Sequence, residues 1–268
     1  MFNSLALLSG KGGSGKSTLA VLIAEKLACN GKKVLLVDCD FGTHGMTYFF
    51  EEKLVDKDKY LSLIDIFGGE YKSKEILNVS ENIDFMPSSV HFPVSLPIEG
   101  NNKCKFEEFL NWLKTLKYDI VIFDLQAGYS EIANIITSFS DKNLMVLEFD
   151  AVSASALRVL YSQLQKQLKK ENTFQVYNKV SQVEHSLVLQ MPKEILFRNL
   201  KPILFSWGIR QAAMLNIVFD MGNGENVKLR EPKQGLFTKI KNRIFFKNEE
   251  TVTDFSGGIN ELVGSLFP

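Results

Sequence analysis

Nine consecutive residues near the start of the chain, Gly10–Thr18, have types and spacing that could bind the phosphates of a nucleotide. They read G-K-G-G-S-G-K-S-T and contain the pattern G-x-x-x-x-G-K-[ST], which ends at Lys16 and Ser17. Glycines let backbone N–H groups surround a phosphate, the Lys16 ammonium can offset its charge, and the Ser17 hydroxyl can bind Mg²⁺. The predicted nucleotide-binding residues are Gly12, Gly13, Ser14, Gly15, Lys16, Ser17 and Thr18.

Carboxylates follow two apolar runs of the sequence and could hold a metal ion beside those phosphates. Asp38 and Asp40 stand in V-D-C-D-F-G, and Asp124 ends the run I-V-I-F-D. Because ligands of an open α/β sheet bind beyond the carboxyl ends of its strands, such acids are well placed to bind Mg²⁺ or to orient water. We predict that Ser17, Asp38 and Asp124 bind the metal. The alternative for each acid is an ordinary cap or strand-end turn.

The elements that must position these residues alternate between strand and helix. This alternation predicts right-handed crossovers and a doubly wound, mostly parallel α/β sheet with helices on both faces. The predicted strands are Phe2–Leu8, Lys33–Val37, Ile83–Phe85, Tyr118–Phe123, Leu144–Phe149, Phe174–Tyr177 and Ile203–Phe205. The predicted helices are Ser17–Asn30, which Gly31 terminates, Phe106–Leu116, Ser153–Lys169 and a closing helix at Phe255–Phe267.

The composition favours one neutral domain and argues against several classes of protein. Of the 268 residues 45% are hydrophobic, enough for a full core, and we expect a single domain over residues 1–268. Basic and acidic residues number 31 each, which does not suggest coating of nucleic acid by bulk charge. The three cysteines form no C-x-x-C pair, which disfavours a disulfide framework or a zinc site. Without a signal peptide or a long apolar run, we expect a cytoplasmic protein.

The chain resembles the MinD/ParA family of deviant Walker-A ATPases from Phe2 to about Asp220. The resemblance is carried by K-G-G-S-G-K-S at Lys11–Ser17, D-C-D at Asp38–Asp40 and D-L-Q-A-G at Asp124–Gly128, with weaker support from F-M-P-S-S and Y-N-K-V. It implies a P-loop ATPase fold, ATP and Mg²⁺ as cofactors, and slow, partner-stimulated hydrolysis. It also implies a homodimer that encloses two ATP molecules and acts as a switch for spatial positioning or regulation of a partner.

The resemblance further implies roles for individual residues. Lys11 matches the lysine that reaches across the dimer to the partner's phosphates, and together with Lys16 and Asp40 it forms the predicted catalytic set. Asp40 matches an aspartate that acts on the hydrolytic water. Asp124 matches the Walker B acid, and Asn178 matches an asparagine that reads the adenine edge.

A few positions stand apart from the family pattern. Gln126 replaces the proline that is usual in D-x-P-A-G, which predicts a less rigid turn and altered or slow hydrolysis. This replacement motivates a non-enzymatic alternative, a nucleotide-gated binding module with little turnover that acts through a protein partner or DNA. Asp150, with Ser153 three residues on, falls where the family often has Glu and Ser. His44 lies in a predicted switch segment, and we interpret it as an incidental, exposed histidine.

A basic segment near the C-terminus offers the surface that such a switch could present to a partner. Residues 228–247 contain seven basic residues and one acid. On a helical wheel Leu236, Phe237, Ile240 and Ile244 share one face, which predicts peripheral binding at the inner membrane surface through 233–247. The alternative, slightly favoured, is that these side chains pack on the domain. DNA contact by the same segment is less favoured because the segment is rich in phenylalanine. Binding to a regulatory protein partner is the third possibility.

Overall fold

The computed structural model describes residues 2–68, 73–90, 101–192, 197–204, 219–220, 228–229 and 250–268. Within these ranges eight strands form one sheet in the order β3-β4-β2-β5-β1-β6-β7-β8, and neighbouring strands are parallel except β3 and β4. The strands are β1 (Asn3–Leu8), β2 (Val34–Cys39), β3 (Leu77–Ser80), β4 (Ile83–Met86), β5 (Ile120–Leu125), β6 (Lys142–Leu147), β7 (Thr173–Tyr177) and β8 (Arg198–Asn199). A separate antiparallel pair joins β9 (Phe219–Asp220) to β10 (Lys228–Leu229).

Eight helices accompany these strands in the described ranges. They are α1 (Lys16–Cys29), α2 (Gly45–Phe49), α3 (Asp65–Gly68), α4 (Asn101–Leu113), α5 (Glu131–Phe139), α6 (Ala151–Leu164), α7 (Gln182–Gln190) and α8 (Glu250–Leu266). Two single 3₁₀ turns, Glu51–Lys53 and Lys57–Lys59, follow α2. No helix among the described residues is long and apolar enough to cross a membrane.

The central strands are covered on both faces, which confirms the predicted doubly wound fold. All six residues of β2 and of β5 are buried, as expected for strands between two helical layers. Alternate side chains of β1 join different cores: Leu5 and Leu7 pack with α1 and α8, whereas Ala6 and Leu8 pack with α4, α5 and α6. The apolar runs in the sequence are continuous because each strand must supply both cores.

The strand order brings three loops with candidate residues to one edge of the sheet. β5 lies between β1 and β2, and β1 in turn lies between β5 and β6. The carboxyl ends of β1, β2 and β5 are therefore adjacent at the point where the order reverses, which is where ligands bind in open α/β sheets.

Element boundaries differ from the sequence predictions mainly near the C-terminal half. Among the described residues, Ile203 and Leu204 lie in no strand, so the predicted strand Ile203–Phe205 is wrong there: Leu204 makes only an isolated bridge with Val180, and Phe205 lies outside the described residues. Helix α6 ends at Leu164 rather than Lys169, while the closing helix α8 begins five residues before its predicted start at Phe255. Within the basic segment only β10 is described, so the predicted amphipathic stretch 233–247 lies outside the described residues.

Candidate functional site

The phosphate loop, Gly10–Gly15, connects β1 to α1 and leaves the first turn of that helix without a side-chain cap. Gly13 and Gly15 have φ of 78° and 89°, in the left-handed region that glycine adopts most readily. A β-carbon on Gly10 would lie 2.4 Å from the carbonyl carbon and oxygen of Ala156, so α6 packs directly on the loop. The uncapped N–H groups and the helix dipole suit this terminus to an anion.

Asp124 is a buried carboxylate near the end of β5 that has no hydrogen-bond partner in the described part of the chain. The residue is only 1% exposed. Burial raises the pKa of Asp124 to about 6, and the Asp40 charge adds to the rise, whereas the charge of Lys16 and the nearby Ser17 hydroxyl oppose it. A buried carboxylate whose oxygens accept no hydrogen bond is costly, and a cation bound to it would offset that cost.

Asp38 lies beside Asp124 because the two residues are paired across β2 and β5. Its carboxylate is fully buried and accepts hydrogen bonds from the backbone N–H of Thr47 at 2.9 Å and from the Thr47 hydroxyl at 2.6 Å. The backbone N–H of Asp40 donates a third bond, at 2.9 Å. Burial and the Asp124 charge raise the pKa of Asp38, and the bonds to Thr47 oppose that rise. Asp38 therefore anchors α2, and a metal could reach it through water.

The Asp40 carboxylate organises the turn that follows β2. One oxygen accepts hydrogen bonds from the N–H groups of Gly42 and Thr43 at 2.9 and 2.8 Å, and the other accepts from the Thr43 hydroxyl at 2.6 Å. In this conformation Asp40 caps the turn, which is the predicted alternative to a role in binding Mg²⁺ or orienting water. An action of Asp40 on water requires these bonds to rearrange, and it stays a prediction.

His44 is buried, so its interpretation as an exposed histidine is wrong. The residue is 6% exposed, and its Nδ1 atom lies 2.7 Å from the hydroxyl oxygen of Ser88. Burial lowers the pKa of the imidazole below its usual value. Since Ser88 is 44 positions away in the chain, the contact ties the turn after Asp40 to the segment after β4.

The segment from Asp40 to Gly45 lies directly against the predicted metal site. A β-carbon on Gly45 would lie 3.2 Å from the Ser17 hydroxyl oxygen, and one on Gly42 would lie 2.6 Å from the Gln126 side-chain nitrogen. The turn that contains Gln126 is itself fixed to the phosphate loop, because the N–H of Gly128 donates to the carbonyl of Ser9 at 2.8 Å. The Gln126 amide thus brings the turn after β5 next to the turn after β2.

Lys11 is held by acids of its own chain. Its ammonium nitrogen lies 2.7 Å from Glu148 Oε2 and 3.1 Å from Asp150 Oδ2, and the hydrogen bond with Glu148 is the main cause of a raised Lys11 pKa. Asp150 also caps α6 by accepting from the N–H of Ser153 at 2.7 Å. Sequence reasoning missed Glu148. Its signal was an acid directly after β6, the kind of strand-end position that drew attention to Asp38 and Asp124.

Asn178 lies against the phosphate loop in this conformation. The residue is 5% exposed, and its side-chain nitrogen donates to the carbonyl of Ser14 at 2.8 Å. The next residue, Lys179, donates to the carbonyl of Gly13 and was also missed in the sequence. Contact between Asn178 and an adenine remains a prediction.

These residues together fit a nucleotide with a bound Mg²⁺. The start of α1 has N–H groups without a side-chain cap, Lys16 and Ser17 occupy its first turn, and Asp124 lies near both on β5. The two buried oxygens of Asp124, which accept no hydrogen bond from the described residues, fit a divalent cation. Carboxylate, hydroxyl and phosphate oxygens are the ligands that Mg²⁺ prefers.

The sequence matches a known family model and is similar to proteins of known name. A family model for the AAA domain matches residues 3–176. The septum site-determining protein MinD of Buchnera aphidicola subsp. Schizaphis graminum is 28% identical over 151 residues, which are 54% of this chain and 52% of that protein. The matched stretch therefore spans about half the length of this relative.

Solved structures share the fold over almost the whole chain. A plasmid partition protein of Borrelia burgdorferi B31 bound to AMPPNP has a TM-score of 0.67 and 18% identity, with 99% of each chain covered. MinD of Pyrococcus horikoshii OT3 complexed with Mg-ADP has a TM-score of 0.62 and 19% identity, again over 99% of each chain. At these identities the likeness establishes the fold alone.

Proposed function

The chain belongs to the MinD/ParA family of P-loop ATPases, and on that premise we propose that it is a Mg²⁺-dependent ATPase that works as a dimeric switch. ATP binding would assemble two copies around two nucleotides, and hydrolysis would separate them. The assembled form would position or regulate a partner. The name septum site-determining protein belongs to one relative and the name plasmid partition protein to another, and both fit such a role.

The observation that carries the proposal is the buried carboxylate of Asp124, whose oxygens accept no hydrogen bond from the described residues. At a position needed only for stability an apolar side chain would be favoured, since burial raises the free energy of the charged carboxylate by more than Lys16 and Ser17 lower it. Next to Lys16, Ser17 and the uncapped start of α1, the carboxylate makes sense as part of a metal–nucleotide site. The relative from Pyrococcus horikoshii OT3 was solved with Mg-ADP.

Catalysis in such a site is positioning and charge neutralisation. Lys16 and the N–H groups of the phosphate loop would hold the phosphates, and Ser17 and Asp124 would hold Mg²⁺, which would offset charge that develops on the transferred phosphoryl group. Asp40 would orient the attacking water once its bonds to Gly42 and Thr43 open. Until then the turn after β2 is closed on itself, which fits a slow basal rate.

The dimer in this proposal depends on Lys11. In the structure its ammonium is paired with Glu148 and Asp150 of the same chain. Contact with the phosphates of a second copy would exchange these carboxylates for phosphate oxygens. The ammonium would keep an anionic partner in both states, while Glu148 would keep Lys179 and Asp150 would keep the N–H of Ser153, so no charge would be left without a partner during assembly.

The partner and the location are further parts of the proposal. We propose a cytoplasmic protein that acts through a protein partner or activator, with peripheral membrane contact through 233–247 as one route. DNA contact is the less favoured route, because the segment 228–247 combines its positive charge with three phenylalanines.

Hydrolysis measured directly tests the proposal. Phosphate release from ATP should require Mg²⁺ and should fall to background in Lys16→Ala, with Lys166→Met as a control at an exposed lysine outside the site. The assay should be run alone, with anionic vesicles and with DNA. A wild-type rate equal to that of Lys16→Ala under every condition would remove the ATPase proposal.

One observation favours the second candidate, a nucleotide-gated module with little turnover. Gln126 stands where the family usually has proline, and its amide lies over Gly42 in the turn that Asp40 caps. If the chain is a binding module, nucleotide affinity and dimerisation should be intact while phosphate release stays at background. Gln126→Pro then gives the sharpest comparison, because a gain in phosphate release would assign the low turnover to this residue.

A further inference from the structure

Lys179 follows β7 in a backbone conformation that is unusual for lysine. Its φ is 58°, in the left-handed region that residues with a β-carbon rarely adopt. The conformation is held from both sides: the N–H of Asn178 donates to the carbonyl of Leu147 at 2.7 Å, and the N–H of Val180 donates to that of Ile203 at 3.1 Å. The surrounding structure therefore imposes this backbone on the residue.

The unusual backbone sends two consecutive side chains to the same loop. In a regular strand neighbouring side chains point to opposite faces of the sheet. Here the Asn178 side-chain nitrogen donates to the carbonyl of Ser14 at 2.8 Å, and the Lys179 ammonium donates to the carbonyl of Gly13. A β-carbon on Gly15 would lie 2.5 Å from the Asn178 nitrogen and 3.3 Å from Cε of Lys179. Both side chains thus lie across the loop.

These two bonds determine where the N–H groups of the loop point. The peptide unit is planar and trans, so a carbonyl and the N–H of the next residue point in opposite directions. A bond to the Gly13 carbonyl therefore orients the N–H of Ser14, and a bond to the Ser14 carbonyl orients the N–H of Gly15. N–H groups of this loop are the donors expected to surround phosphate oxygens.

Glu148 keeps Lys179 in place. One carboxylate oxygen of Glu148 lies 3.0 Å from the Lys179 ammonium, and the other lies 2.7 Å from that of Lys11. The Lys179 side chain is 36% exposed. Without the ion pair to Glu148, the conformational entropy of this long side chain would oppose its hydrogen bond to the carbonyl oxygen. The pairing fixes the ammonium on the loop before any phosphate arrives.

We infer that Lys179 is a positioning residue, which with Asn178 holds the phosphate loop in the conformation that presents the N–H groups of Ser14 and Gly15 to phosphate. The inference rests on the proposed nucleotide site. Lys179 acts through the loop and not by direct contact with the nucleotide, so its contribution is the same for every ligand that places a phosphate there.

The test compares Lys179→Met, which keeps the length of the side chain but removes the charge, with Lys179→Arg and with the surface control Lys166→Met. Affinities for Mg-ATP, Mg-ADP and adenosine are measured by calorimetry. Lys179→Met should weaken ATP and ADP equally, by about threefold to tenfold, as expected for loss of one charge-assisted hydrogen bond. Adenosine binding should not change, and Lys179→Arg should recover most of the loss.

A measurement without nucleotide separates this inference from the proposed function. In ¹⁵N relaxation of the nucleotide-free protein, the amides of Ser14 and Gly15 should become more mobile in Lys179→Met and not in Lys166→Met. Unchanged amide dynamics would overturn the inference whether or not ATP binds. A loss for ATP alone would overturn it in favour of direct contact with the γ-phosphate. If the wild type bound no nucleotide while the amides responded as expected, the proposed function would fail and the positioning role would stand. Should Lys179→Met not fold, Lys179→Gln is measured in the same way.

Discussion

Replacing Asp124 by asparagine should make the nucleotide-free protein increasingly stable relative to wild type as the pH rises, and it should abolish the response to Mg²⁺-nucleotide. Burial raises the pKa of Asp124 from 3.8 to about 6. At 1.36 kcal/mol per pKa unit, this shift corresponds to about 3 kcal/mol. The carboxylate is fully buried, so the value needs no large reduction for solvent screening.

The sign follows from proton binding. The folded protein keeps the Asp124 proton to a higher pH than the unfolded chain does, so the free energy of unfolding falls as the pH rises from about 4 to about 6 and stays low above that range. Asparagine cannot ionise, so the variant does not show this fall in the free energy of unfolding. The free energy of unfolding of Asp124→Asn, relative to that of wild type, should therefore rise by about 2 kcal/mol between pH 4.5 and pH 8. Burying an unpaired amide costs about 1–3 kcal/mol, but that cost does not depend on pH.

The assay is urea denaturation in EDTA at several pH values, with Asp56→Asn as the control at an exposed carboxylate. A second series adds Mg-ADP, which should raise the melting temperature of wild type and of Asp56→Asn but not that of Asp124→Asn. A difference in unfolding free energy between Asp124→Asn and wild type that stays constant with pH would refute the raised pKa of Asp124. Equal stabilisation of all three proteins by Mg-ADP would refute the metal role.

Three further predictions concern the loop, the dimer and the basic segment. Gly10→Ala should lower the free energy of unfolding by about 1–3 kcal/mol in urea, because its β-carbon would overlap the backbone at Ala156; Gly12→Ala, where no atom lies within 4 Å of the new carbon, should change it little, and equal effects would contradict the packing argument. Lys11→Ala should still bind nucleotide as a monomer but should lose ATP-dependent dimerisation in light scattering, and normal dimerisation would show that Lys11 has no role in trans. Phe237→Glu should reduce co-sedimentation with anionic vesicles if residues 233–247 contact membrane, and equal pelleting of variant and parent would remove that route.

Much of the fold could be predicted because its signals are local. Continuous apolar runs identified β1, β2, β5, β6 and β7, and helical spacing identified α1 and α6. Gly31, with φ of 77°, ends α1 by the expected mechanism. Helices α5 and α7 are short, with nine residues each, and they went unpredicted although Ser130 and Ser181 cap them. The last strand of the described sheet went unpredicted because β8 has only two residues, too few for a hydrophobic period.

The residues of the candidate site also divide into those that the sequence could predict and those that it could not. The residues of the phosphate loop and the acids at strand ends could be picked out because each motif lies within a short stretch of chain. The partners of those residues could not: Glu148 is 137 positions from Lys11, and Ser14 is 164 positions from Asn178. Nor could the sequence show that Asp38 accepts hydrogen bonds from Thr47 and from the N–H of Asp40, while Asp124, its neighbour across the sheet, has no hydrogen-bond partner among the described residues.

The sequence by itself determined the strand–loop–helix unit at Gly10–Thr18, the two-sided burial of the central strands and the presence of acids at their ends. These properties depend on glycine conformations, hydrophobic periodicity and position in the chain, all of which are readable within about ten residues. Only the tertiary structure decided which strand ends are neighbours, and therefore that Lys11 and Lys179 share Glu148 and that His44 meets Ser88. Side-chain partners depend on sheet order and on burial, and both are set by the whole chain at once.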